Sequence, residues 1–462
     1  MDKAVLAVDL DGTYIKGDIT EESFVELLKQ SPLSALVSLV VLIFAGRCAF
    51  KNFLVQKLKF PAGKYGECSD FIRYLKEEKH RGRKLILISA SHYEYVKEFK
   101  GDLFDEVYGT TEKNLSGENK VNLLKRKYGS FDYAGNDWID FVVFKEASTP
   151  ILVNGTPMMV RKFQKLYPNG LVFCGRNGLI KSLISSLRPY HWFKNSLIFV
   201  APVLAHEFSL ETFLKLFWSF ISFCLLCSGN YVWNDLLDIQ ADRQHNIKRF
   251  RPLAAGDIRP FQLFLTAASC LIVGLVLAFK VNLLFFACAV FYLAGAIIYS
   301  GFLKRVPILD IFVLSALYIL RIIAGAVVSE VYLSQWFLIF CMFSFLSLAS
   351  VKRASEISHQ KTFSSRNYQK SDFLFLQVFG LATGILSTLV YLLYLNFQAE
   401  TGLYSKPIFL WMIFPVMLYW YATLWIKLWR GEQIEDPLIY ILRSRVMSIL
   451  LVGSFILYLL SI

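Results

Sequence analysis

The chain has 462 residues, of which 55% are hydrophobic and 18% charged, against roughly 45–50% and 25% in an average soluble domain. That excess excludes a wholly water-soluble protein. The net charge of +13 does not point to nucleic acid, because the basic residues fall between apolar blocks rather than on one basic domain.

Residues 1 to about 180 carry charge at ordinary density and read as a soluble head. It opens with Ala4–Val8, a buried-strand pattern, followed at once by Asp9-Leu10-Asp11-Gly12-Thr13. Side chains alternate along a strand, so Asp9 and Asp11 project to one side, where two like charges call for a shared cation or proton. Magnesium-assisted phosphoryl transfer explains the pair, with Gly12 permitting the turn. A second apolar strand, Leu85–Ile88, ends in Ser89; Lys120 follows in Gly117-Glu-Asn-Lys120, and Gly135-Asn-Asp137-Trp-Ile-Asp140 closes a third.

In that order these segments resemble the haloacid dehalogenase superfamily. The resemblance implies an α/β Rossmann-like domain over residues 1–175 with a helical cap over about 17–65. It further implies Asp9 as nucleophile and Asp11 as general acid, with Ser89 and Lys120 on the phosphoryl oxygens. Mg²⁺ would be held by Asp9 and Asp11 with Asp137 or Asp140, a choice the spelling leaves open because Asn136 stands where the first acid is common. The head is either an active phosphatase or a retained, catalytically quiet domain. Ser31–Gly46, bracketed by Lys29 and Arg47, is apolar but only 16 residues long; it reads as a buried cap or a membrane-leaning helix rather than a span.

After a linker or interfacial helix at 176–189, residues 190–462 form an all-α polytopic membrane domain. Blocks of about 20 apolar residues match a hydrocarbon core roughly 30 Å thick. Nine spans are expected, at 190–206, 211–233, 260–279, 281–303, 308–329, 331–351, 372–397, 407–427 and 446–462. Arg243, Lys248, Arg249, Arg251, Lys304, Arg305, Lys352, Arg353, Arg430 and Arg443 follow the even-numbered spans; the opposite side has Lys215, Lys280 and Lys406. Lys and Arg mark the cytoplasmic side. The head is therefore expected in the cytoplasm of a multi-pass inner-membrane protein, and no signal peptide is indicated. In that compartment the eight cysteines read as packing residues without structural disulfides, Cys224 and Cys227 included.

Asn234, Asp235, Asp238 and Asp242 recur at helical spacing, which places the last three on one face of a continuing helix. Three such carboxylates suit Mg²⁺ holding a diphosphate. The basic turn Lys248-Arg-Phe-Arg251-Pro-Leu-Ala-Ala-Gly256 supplies donors for the remaining oxygens. This stretch, with Arg188-Pro-Tyr-His-Trp-Phe-Lys194-Asn195, resembles the UbiA superfamily of intramembrane prenyltransferases.

Between Tyr299 and Arg321 a second acidic motif gives way to one acid, Asp310, with Lys304, Arg305 and Arg321. That exchange, with Lys352, Arg353 and Glu356 and with Gly431-Glu-Gln-Ile-Glu435-Asp436-Pro437, resembles the decaprenyl-phosphate phosphoribosyltransferases. The resemblance implies transfer of 5-phosphoribosyl from its diphosphate to a polyprenyl phosphate. Asp235, Asp238 and Asp242 would be the catalytic metal ligands. Asn234, Lys248 and Arg251 would bind the donor, while Tyr299, Lys304, Arg321, Lys194, Lys352 and Arg353 would bind phosphate groups. The fused head would dephosphorylate the product. The alternatives are prenyl transfer to an aromatic or other small acceptor, and a non-enzymatic membrane protein; homo-oligomers are left open.

Overall fold

A computed structural model describes residues 4–58, 65–207, 209–359, 367–398, 404–434 and 436–462. Glu435 of the expected loop motif and residues 59–64 of the expected cap lie outside these. The chain forms two compact units: Met1–Arg188 with Tyr231–Ala268, and Pro189–Asn230 with Ser269–Ile462.

The first unit is built on β1 (Val5–Asp9), β2 (Leu85–His92), β3 (Glu106–Thr110), β4 (Phe131–Gly135), β5 (Pro150–Gly155) and β6 (Leu171–Gly175). They form one sheet in the order β3-β2-β1-β4-β5-β6, parallel throughout. β1 pairs with β2 through Leu6 and Leu85 and with β4 through Val5 and Phe131. Both faces are covered, Leu6, Val8, Leu85 and Leu87 packing on one side and Ala7, Ile88, Phe131 and Tyr133 on the other, so the central strands are continuously apolar. Strand order reverses between β1 and β4. In open α/β sheets the carboxyl ends of the strands at such a switch point form the ligand crevice, and Asp9 and Gly135 end the two strands that flank it.

Helix α1 (Ile19–Gln30) starts at Asp18, whose carboxylate accepts from the Glu21 N–H at 3.0 Å. Helix α2 (Pro32–Lys57) is longer than the expected 31–46 segment and breaks at Gly46, where φ is 82° and ψ −178°. Ala35, Phe50 and Leu54 of α2 pack on Phe24 and Leu27 of α1. Leu33, Leu36, Val37, Val40, Ile43 and Phe44 are exposed, so of the two expected readings, buried cap or membrane-leaning helix, this face does not fit the first.

The expectation of no structural disulfide is also corrected: Cys68 is bonded to Cys174. The sheet brings together two residues 106 apart, one preceding helix Ser69–His80 and the other on β6, in the same apolar cluster. Cys224 and Cys227 are free and buried.

The long apolar helices are α3 (Leu210–Leu237), which continues into the short α4 (Ile239–Gln244), then α5 (Pro260–Val281), α6 (Leu283–Gly301), α7 (Leu309–Ser329), α8 (Gln335–His359), α9 (Asp372–Gln398), α10 (Ile413–Trp429) and α11 (Arg445–Ser461). Among the described residues, eight helices are long and apolar enough to cross a membrane, α2 being one of them. A ninth span arises if the pair Pro437–Arg443 and α11, bent by 92°, counts as one. The expected first span, 190–206, is not a long α-helix. It is a 3₁₀ stretch, Pro189–Phe199, followed by Val200–Leu204, and it carries the buried polar side chains Lys194 and Asn195.

In the second unit a core of Ile311, Ile322, Phe345, Leu346, Leu424 and Trp425 joins α7, α8 and α10. Close approach depends on small residues: a Cβ at Gly325 would lie 1.9 Å from the Ile198 carbonyl oxygen.

Candidate active sites

The switch point of the first unit gathers most of the acids and bases read from the head. Asp9, 7% exposed at the end of β1, accepts from Lys120 Nζ at 2.7 Å. Lys120 also donates to Tyr133 Oη at 2.9 Å, and Tyr133 Oη donates to Asp140 at 2.7 Å. Burial pushes the Asp9 carboxyl up to about 7 against the pull of Lys120, with Asp140 and Asp11 adding like charge. Such a group gains from a cation.

Asp11 is held from three sides. Ser89 and Ser91 hydroxyls donate to one oxygen, each at 2.7 Å, and the Ile19 N–H donates to the other at 2.9 Å. Ser89 is fully buried, whereas Ser91 lines the cavity beside Asp9. Ser91 was overlooked in the sequence, although two-residue alternation along β2 puts it on the side of Ser89.

Gly12 sits at φ +78°, and a Cβ there would fall 1.9 Å from the Asn136 amide nitrogen. Asn136 therefore closes on the Asp9–Thr13 turn, and its side-chain oxygen accepts from Thr13 Oγ1 at 3.3 Å. Both Asp137 and Asp140 are engaged, so the choice between them stays open; Asp140 is the more deeply buried. Its carboxylate is occupied by Tyr133 and by the Asn136 and Asp137 N–H groups, at 2.9 and 3.0 Å. Asp137 is ion-paired with Arg259.

A cavity of about 370 Å³ opens here, lined by Asp9, Asp11, Ser91, Lys120, Asn136 and Asp137 among others. Lys51 of α2 lines it too and donates to Asn114 at 2.7 Å. Arg243 closes it with a bidentate pair to the buried Glu22, at 2.8 and 2.7 Å. Burial raises the Glu22 carboxyl above its ordinary range despite Arg243.

The same unit contains the carboxylates of the 235–242 stretch. Backbone bonds run on from α3 to α4, but Asp238 departs from helical geometry (φ −99°, ψ 11°) and is exposed. The expected single face of three carboxylates is thus reduced to two. Asp235 and Asp242, both buried, share Arg251 Nη1 at 2.9 and 2.6 Å, and Arg188 pairs with Asp235 as well. Burial holds the Asp242 carboxyl above its usual range against the pull of Arg251. Asn234 is half-buried and Lys248 exposed.

Among the described residues no three Asp, Glu, His or Cys side chains converge as metal ligands. That corrects the expected triads, Asp9, Asp11 and Asp137 or Asp140 in the head and Asp235, Asp238 and Asp242 beyond it. Two carboxylates still suffice for Mg²⁺ where phosphate oxygens and water complete the shell. Asp9 with Asp11, and Asp235 with Asp242, fit that requirement.

In the second unit, Arg353 is 1% exposed and bonded to Asp310, Tyr299 and, at 2.7 Å, Glu356. Asp310 also accepts from Tyr368 Oη at 2.6 Å. Arg321 donates to Asn195 and Tyr292, each at 2.9 Å, and to the Leu317 carbonyl of its own helix. These bonds tie Tyr299, Arg321 and Arg353 into the helix packing. Lys194 pairs with Asp436, whose carboxyl is buried yet held below its usual range by Lys194 and Lys352. Lys304 lies half-buried on the turn after α6.

Residues 196–445 match the UbiA prenyltransferase family. An uncharacterized protein of Sinorhizobium fredii, y4nM, is 31% identical over 462 residues, covering 96% of this chain and 88% of that one. The decaprenyl-phosphate phosphoribosyltransferase of Mycolicibacterium smegmatis is 35% identical over 184 residues, covering 39% of this chain and 58% of that protein. A UbiA homologue from Archaeoglobus fulgidus, solved with GPP and Mg²⁺, is 16% identical with a TM-score of 0.47, covering 60% of this chain and 99% of its own. More than half of the chain matches one family along its membrane helices, and the protein is a member of the UbiA prenyltransferase family.

Proposed function

We propose that the protein transfers 5-phosphoribosyl from phosphoribosyl diphosphate to a polyprenyl phosphate at the cytoplasmic face of the membrane, and that its head is a haloacid dehalogenase-like phosphatase acting on the product. The observation that carries the first step is the state of Asp310. It is the sole acid between Tyr299 and Arg321, fully buried, and bonded to Arg353 and Tyr368. A second metal cluster has no ligand there, which disfavours prenyl transfer through paired acidic motifs.

In the transfer, an oxygen of the lipid phosphate attacks the anomeric carbon. The carbon–oxygen bond to the diphosphate breaks, and diphosphate departs. Bound Mg²⁺ would stabilise the leaving diphosphate. Asp235 and Asp242 would hold it, Arg251 and Arg188 fix those carboxylates, and Lys248 reaches the donor's phosphates. Lys194, Lys352 and Lys304 supply positive charge for the lipid phosphate.

In the head, Asp9 attacks phosphorus as the ester oxygen leaves and takes a proton from Asp11. Water then cleaves the aspartyl-phosphate and releases phosphate. Lys120 and Ser91 steady the phosphoryl oxygens.

The test is transfer of radiolabel from ribose-labelled phosphoribosyl diphosphate into chloroform-soluble product by membranes supplied with polyprenyl phosphate. Label is expected with wild type and not with Asp235→Asn. Label arriving only from a prenyl diphosphate would establish the alternative prenyl-transfer reaction instead.

A further inference from the structure

We propose that α2 lies in the plane of the bilayer and that the head's cavity takes its substrate from the lipid leaflet, as a phosphomonoester carried on a polyisoprenoid-linked headgroup. This rests on the phosphatase reading of the head and adds how that site receives its lipid-linked substrate.

The apolar half of α2, Pro32–Ala45, is about 21 Å long at 1.5 Å per residue, short of a roughly 30 Å hydrocarbon core. Its two ends return to the same body. Ala35 packs against Phe24 and Leu27 of α1, and beyond the Gly46 break Lys51 hydrogen-bonds to the Ala90 carbonyl and the Asn114 side chain. A helix anchored at both ends on one side does not cross.

Its outward face nevertheless has no polar residue at the positions that water would select. Leu33, Leu36, Val37, Val40, Ile43 and Phe44 are 50–84% exposed and recur at helical spacing, the pattern of a helix sunk in an interface. Arg47 follows immediately, where the chain turns back to the head.

Lipid is the occupant because α2 sits on helices that enter it. Val25 of α1 packs with Val232 and Leu236 of α3 and with Leu263 and Ala267 of α5. The Phe24 ring stands edge-on to Phe264 at 5.9 Å. The Glu21 carboxylate accepts from the Phe261 N–H in the first turn of α5 at 2.9 Å. The α1–α2 hairpin is thus continuous with the membrane entry of two spans.

The inner side of the same helix faces the chemistry. Leu39 and Leu42, with Phe24, Phe50 and Phe264, line the cavity that holds Asp9 and Asp11. A water-soluble sugar phosphate has no use for that apolar wall, whereas a lipid-linked one buries its first isoprene units against it.

The experiment uses full-length protein in lipid vesicles and two esters with one headgroup: farnesyl-phosphoryl ribose 5-phosphate and its methyl-phosphoryl counterpart. Wild type is expected to release phosphate from the farnesyl ester with kcat/KM higher by roughly 100-fold, the effect of burying three or four methylene groups. In the Leu36→Glu/Val40→Glu/Ile43→Glu variant that ratio falls by about tenfold, as the entry path is displaced from the leaflet. Equal kcat/KM for the two esters in wild type, or a ratio unmoved by the triple substitution, overturns entry from the leaflet and leaves the phosphatase activity standing. Release from neither ester overturns the phosphatase reading and this proposal together.

Discussion

Arg251 offers a single guanidinium nitrogen to two carboxylates on successive helices, 2.9 Å from Asp235 and 2.6 Å from Asp242. Holding both acids in register would be its contribution to the proposed diphosphate site. Arg251→Ala is expected to lower incorporation of ribose label into lipid by about 10–100-fold, the usual effect of losing a group that orients metal ligands. Arg251→Lys should recover only part of it, since an ammonium lacks the planar fork. Wild-type incorporation by Arg251→Ala would remove this residue from the site.

The Glu22–Arg243 pair joins α1 to α4. Both side chains are under 5% exposed, so removing one leaves a buried charge without its partner. Glu22→Ala should destabilise the first unit by about 3–5 kcal/mol. Thermal unfolding of full-length protein in detergent would show it, and a Glu22→Ala/Arg243→Ala double variant should lose less than the sum of the singles.

Burial raises the Asp9 carboxyl from an ordinary 3.8 to about 7. Protonated Asp9 is therefore favoured by the fold: its stabilising contribution is complete below 3.8 and is lost as pH rises through about 7. With a chelator present, the first unit should lose stability across that window, and Asp9→Asn should flatten the dependence. Parallel melting curves for the two proteins from pH 4 to pH 8 would count against it.

Gly12→Ala tests the two reactions separately. A methyl group at φ +78° directed at the Asn136 amide must displace the turn that carries Asp9 and Asp11. Phosphate release should fall by at least about 10²-fold, since a shift of about 1 Å suffices for such a loss, while ribose transfer to lipid continues. Loss of both activities would show that the two sites do not act independently.

Asp9, Asp11 and Gly12 were legible in the sequence because a buried strand ending in two acids has few other uses. Lys120 came from resemblance and falls within hydrogen-bonding reach of Asp9. Asp238 was misplaced for a local reason: periodicity assumes a regular helix, and one residue with φ −99° is enough to turn a carboxylate outward. The engagement of Arg353 was hidden for a distant one. Its partner Asp310 is 43 positions away, and no local pattern distinguishes a guanidinium awaiting phosphate from one neutralised across the bundle. The 3₁₀ course of Pro189–Phe199 was hidden because its apolar residues run on into Val200–Leu204, which together have nearly the length of a span.

The inclusion of Tyr231–Ala268 in the same compact unit as the amino-terminal sheet sets the limits of modular exchange in this chain. A cut after Arg188 would strip Glu22 of Arg243, Asp137 of Arg259 and Val25 of its apolar neighbours. The fusion is thus not two beads on a string. A chimera that grafts this head onto another membrane body would have to transplant the hairpin between α3 and α5 with it, and a relative lacking the head must surface that hairpin differently.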